Sequence, residues 1–122
     1  MKGKREVVDY VRDMLEASEK AERFVQGMTL DDFQRDEKTA FAVVRALEII
    51  GEAARHIPKD MRARYPEVPW EDIVGMRNIV IHEYFGIDLE VIWKTVHRDL
   101  APLRGALSKV WSDLESGEPA KQ

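Results

Sequence analysis

Residues 88–114, DLEVIWKTVHRDLAPLRGALSKVWSDL, decide the fold class. Leu89, Ile92, Val96, Leu100, Leu103, Leu107, Val110 and Leu114 recur every three or four residues. That is the period of a helix burying one face. Asp88 is a natural N-cap, and Gly86 a natural stop for the element before it. The spacing predicts a helix over roughly 88–114. Pro102 lies inside it, where a proline removes one backbone bond and crowds the preceding turn, so a kink is expected. Trp93 and Trp111 fall partly off the stripe. They either widen the core face or mark a second buried surface at an oligomer interface.

Three further helices precede this one. Val7, Val8, Val11, Met14, Leu15, Ala21 and Val25 predict a helix over roughly 4–26, which Gly27 is placed to end. Thr29 followed by Asp32 has the form of a capping box, so a short helical turn is expected there. Ala40, Val43, Val44, Leu47, Ile50, Ala54 and Ile57 predict a second long helix over roughly 36–57, closed by Pro58. Its other side carries Arg45, Glu48 and Glu52 at i, i+3 and i+7. They form an intrahelical ion-pair set or line a cleft. The proline-rich connector PKDMRARYPEVPW forbids a long regular element, and Pro69 suits the first turn of a third helix over roughly 69–83. Trp70, Ile73, Val74, Val80 and Ile81 are its core candidates. No convincing strand is present. The expected fold is all-α, an antiparallel four-helix bundle, with one domain over 1–116 and a frayed tail over 117–122.

Composition narrows the function. The chain has no cysteine, which excludes disulfides and thiolate metal sites. No apolar run approaches the ~20 residues needed to cross a bilayer, and MKGKREVVDYVRDML lacks a signal peptide's apolar core. A cytoplasmic protein without a membrane role is expected. The net charge of −4 argues mildly against a nucleic-acid partner. Arg55, Lys59, Arg62 and Arg64 against Asp60 form a local basic run, either a solvated loop or part of a binding patch.

The chemistry concentrates in GMRNIVIHEYFGID, residues 75–88. Ile79, Val80 and Ile81 read as core, yet Arg77 and Asn78 precede them and His82 and Tyr84 follow. In a continuous helix Arg77 and Tyr84 lie within about 20° of each other, but His82 lies about 140° from Arg77. Either the helix deforms near His82, or two chains share one cleft. Histidine moves protons near neutral pH, and arginine grips phosphate with paired hydrogen bonds. Together they suit RNA cleavage without a metal: a base takes the 2′-hydroxyl proton, the 2′ oxygen attacks phosphorus, and arginine offsets the charge that grows there. His56, His82 and His97 are scattered singly, so no metal-ligand cluster and no cofactor is expected.

The pattern Arg77-Asn78-x-x-x-His82-x-Tyr84 resembles the Arg-x4-His-x-Tyr motif of the HepT-like toxins, in the HEPN superfamily of helical ribonucleases. RALEIIGEAARHIP resembles that family's second helix. YPEVPWEDIVGMRNIVIHEYFGIDLEVIWKTV resembles its segment from the third helix into the fourth. The resemblance covers essentially the whole chain. It implies a homodimer whose two motif copies face a shared cleft. It implies a metal-independent endoribonuclease, the toxin of a type II/VII-like pair. Arg77 and His82 would be catalytic, and Asn78 and Tyr84 supporting. The implied antitoxin is a minimal nucleotidyltransferase of the MntA type, which would transfer AMP to Tyr84. A second reading is a non-catalytic module that binds nucleotide or the nucleotidyltransferase. A third is a purely structural bundle, with Arg77 paired to Glu48 or Glu52 and His82 packed inside.

Overall fold

The computed structural model describes residues 5–75 and 88–116, and among these no strand occurs. Three long helices frame the fold: α1 (Val7–Phe24), α3 (Glu37–Arg55) and α5 (Leu89–Glu115). Two short ones sit between them, α2 (Leu30–Arg35) and α4 (Lys59–Arg64). Residues 70–75 are also helical, the described part of the expected third long helix.

Side-chain pairings fix the directions. Tyr10 of α1 stacks on His56 just past α3, and Phe24 shares a groove with Ala42, so these two helices run antiparallel. Arg12 of α1 lies over the Trp111 ring of α5, while Glu22 pairs with Arg104. That pair of helices is antiparallel too. Residues 65–73 descend along α5 in the same sense. Tyr65 meets Asp113, Glu67 meets Lys109, and Ile73 shares a groove with Leu103 and Arg98. The result is an antiparallel helical bundle.

The expected stripe on α5 is the core. Ile92, Val96, Leu100, Leu103, Leu107 and Val110 are buried against Val11, Met14, Val43, Leu47 and Ile50. Trp93 and Trp111 pack partly buried against the same core, so within the chain they widen its face. The helix continues across Pro102 from Leu89 to Glu115. Thr29 does cap a helix: its hydroxyl accepts from Asp32 N at 3.0 Å, and Asp32 Oδ2 accepts from Thr29 N at 3.1 Å. Gly27 adopts φ +80°, the left-handed conformation that lets the chain turn out of α1.

The connector is more ordered than its prolines suggest. Pro58 ends α3's run yet directly precedes α4, because a proline lacks only a donor that a helix's first turn leaves unused. Arg62 on α4 is not a solvated charge. Its guanidinium donates to the carbonyls of Ile57 (3.0 Å) and Ala54 (3.1 Å), fastening α4 to the end of α3 and the turn that follows it.

Tyr65 is buried, and its hydroxyl donates to Asp113 Oδ2 at 2.6 Å. Burial first, then the hydrogen bond to Asp113, pushes its phenol up to about 12. The neutral phenol therefore favours the folded state. This contribution is complete below pH 10 and is lost as pH rises from 10 towards 12. We expect roughly 2 kcal/mol of stability to disappear across that window. Denaturant titrations should show the loss in the wild type and not in Tyr65→Phe, which has no phenol to ionise.

Candidate functional site

The four residues singled out by the sequence, Arg77, Asn78, His82 and Tyr84, lie outside the described residues, as do Ile79, Val80 and Ile81, which read as core. The structure describes the two shoulders of that stretch. On one side, Trp70 and Ile73 are buried in the core and hold residues 70–75 along α5. On the other, Asp88 Oδ1 accepts from Glu90 N (3.0 Å) and Val91 N (3.3 Å), the N-cap expected for α5. The described residues on the two sides of the motif are thus both placed at the same helix.

The other polar cluster lies between α1 and α3, in a cleft of about 230 Å³ lined by Arg5, Tyr10, Asp13, Arg45, Glu52 and His56. The His56 ring stacks on Tyr10 with centroids 4.6 Å apart and planes 6° from parallel. Arg5 covers the Tyr10 ring at 4.8 Å and pairs with Asp13 at 2.5 Å. Glu52 holds His56 Nε2 at 3.3 Å and Arg55 at 3.1 Å. Its hydrogen bond raises the Arg55 pKa above the usual arginine value. Arg45 pairs with Glu48 at 3.4 Å. Both expectations for Arg45, Glu48 and Glu52 therefore hold in part: they form intrahelical ion pairs, and Arg45 and Glu52 also line a cleft. The Tyr10–His56 stack was not foreseen, since no local pattern links the start of α1 to the end of α3.

The basic run 55–64 is largely spent within the chain. Arg55 serves Glu52, Arg62 serves the α3 carbonyls, and Arg64 pairs with Asp60 at 3.5 Å. Lys59 lies on the rim of a groove of about 660 Å³ with Pro66, Pro69 and Trp70. Among the described residues, no group of three or more His, Asp or Glu side chains is arranged to hold a metal ion. No described helix is long and apolar enough to cross a membrane.

A bundle that is all-helical among the described residues, with Arg77-x4-His82-x-Tyr84 in the sequence between α3 and α5, has the form of a HEPN-type domain. The chain belongs to the Ribonuclease HepT-like family, whose profile matches residues 14–110 and so includes the motif. It is 48% identical over 107 residues to the protein named Probable ribonuclease HepT of Thermococcus cleftensis, covering 88% of this chain and 97% of that one. It is 43% identical over 101 residues to a Methanocaldococcus jannaschii protein provisionally named as an RNase, covering 83% of this chain and 93% of the relative. A Caldanaerobacter subterraneus protein with a similar provisional name is 38% identical over 101 residues, covering 83% and 90%. No solved structure matches the chain.

Proposed function

We propose that the chain is a metal-independent endoribonuclease toxin, active as a homodimer, with Arg77 and His82 as its catalytic residues. The observation that carries this reading is an intact Arg77-x4-His82-x-Tyr84 motif inside the segment matched to a ribonuclease family. His82 takes the 2′-hydroxyl proton of the substrate, and the 2′ oxygen attacks the adjacent phosphorus. Arg77 offsets the negative charge growing on the phosphoryl oxygens. The P–O5′ bond breaks and the 5′ oxygen takes a proton from water while His82 returns its proton to solvent, so the products carry a 2′,3′-cyclic phosphate and a 5′-hydroxyl. Asn78 supplies a neutral donor and acceptor beside the phosphate. Nothing in this sequence of steps requires a metal.

Neutralisation comes from a nucleotidyltransferase antitoxin of the MntA type that places AMP on Tyr84. The added phosphodiester brings negative charge and a bulky adenosine, suited to filling the phosphate site at Arg77 and excluding RNA. The test is expression in a bacterial host with and without an active partner of this type. Wild type alone should arrest growth, and the partner should relieve it. Tyr84→Phe should remain toxic in the partner's presence. Full neutralisation of Tyr84→Phe would refute the AMP mechanism, and a harmless wild type would refute the toxin.

A further inference from the structure

We propose that Tyr65 and Trp70, anchored through Arg62 and Asp113, are positioning residues for the catalytic segment. This inference rests on the ribonuclease reading and extends it to residues outside the motif.

The connector entering that segment sinks four side chains into the core, although Pro66, Glu67 and Pro69 between them stay exposed. Loops ordinarily run exposed over the surface, where water satisfies their backbone. Here Tyr65, Val68, Trp70 and Ile73 are all buried. The Trp70 indole N–H donates to two carbonyls, Tyr65 O at 3.1 Å and Arg62 O at 3.2 Å. The Trp70 backbone N–H donates to Val68 O at 2.8 Å, and the Val68 N–H to Tyr65 O at 3.1 Å. The two ends of this knot are fastened to different helices. Arg62 grips the carbonyl of Ala54 in α3 at 3.1 Å and that of Ile57 just past it at 3.0 Å, and Tyr65 grips Asp113 of α5 at 2.6 Å. The start of the 70–75 helical stretch is therefore held by hydrogen bonds referenced to both long helices.

Trp70 stands seven residues before Arg77 along the chain. The described helical stretch 70–75 spans about 7.5 Å, so a tilt of about 8° at its start carries its end, two residues before Arg77, by about 1 Å. Misplacement of a catalytic group by that amount can cost about 100-fold in rate. Hydrogen bonds with directional geometry resist such a tilt in a way that apolar burial, which is non-directional, does not.

Purified full-length protein and a short fluorogenic RNA test this at a temperature well below unfolding. Trp70→Phe keeps an aromatic ring but loses the N–H, and Tyr65→Phe loses only the hydroxyl. Each should lower kcat about tenfold or more while KM stays within about twofold. Asp113→Asn keeps an oxygen that accepts from Tyr65 and should retain wild-type kcat, whereas Asp113→Ala should behave like Tyr65→Phe. Folded variants with wild-type kcat would overturn the proposal. So would losses that merely follow the unfolded fraction measured by circular dichroism. Should Trp70→Phe fail to fold, Tyr65→Phe and the Asp113 pair decide the matter. A wild type that cuts no RNA would overturn the ribonuclease reading itself, and this inference with it.

Discussion

Replacing His82 by alanine should lower the rate of RNA cleavage by about 10²- to 10⁴-fold, the usual loss when a general base is removed. The loss should fall on kcat, because the 2′-hydroxyl proton moves only as the transition state forms. Arg77→Ala should cost about 10²- to 10³-fold for a different reason. It removes a cation that meets the phosphate in both the ground state and the transition state, so KM should rise as well. The two variants are thus separable by kinetics. A His82→Ala protein as active as wild type would remove His82 from the mechanism. Circular dichroism would establish that each variant is folded before its rate is read.

Phe33→Ala should destabilise the fold by about 3–5 kcal/mol. Phe33 has 0% exposure and is the buried residue of α2. Its ring meets Trp93 of α5 with centroids 5.4 Å apart. That contact pins the short α2 segment across the gap between α3 and α5. Six residues cannot sustain a helix alone, since nucleation is costly, so α2 depends on this packing and on the Thr29 cap. Whole domains are stable by only about 5–15 kcal/mol, so the loss is a large part of the total. Urea titration should show it as a fall in midpoint, and Trp93 emission should report local exposure. A change below about 1 kcal/mol would contradict the placement of Phe33 in the core.

The elements that could be read from the sequence are those whose signals are local. The α5 stripe repeats over eight positions, and six of them, from Ile92 to Val110, are buried. Thr29 and Asp32 announce α2 through a motif four residues long. What was not legible depends on contacts between distant residues. The run 55–64 looks like a charge cluster, yet Arg62 caps α3, a role visible only once α4 folds back. The prolines of the connector read as breaks, although Pro58 opens α4 and Val68, between Pro66 and Pro69, is buried. Tyr65 and Asp113 are 48 residues apart, and nothing in either neighbourhood announces their bond. The proposed site is local in sequence, its residue types and spacing lying within eight positions, and those positions fall outside the described residues. The Arg62–Tyr65–Trp70 hydrogen bonds, which no local pattern announces, are the described structure that precedes it.

The most direct measurement is end-group analysis of RNA cut by the purified wild-type protein in excess chelator, with His82→Ala in parallel. The account predicts cleavage without metal, products bearing 2′,3′-cyclic phosphate and 5′-hydroxyl ends, and almost no product from His82→Ala. Products with 3′-hydroxyl and 5′-phosphate ends, or cleavage abolished by the chelator, would contradict it.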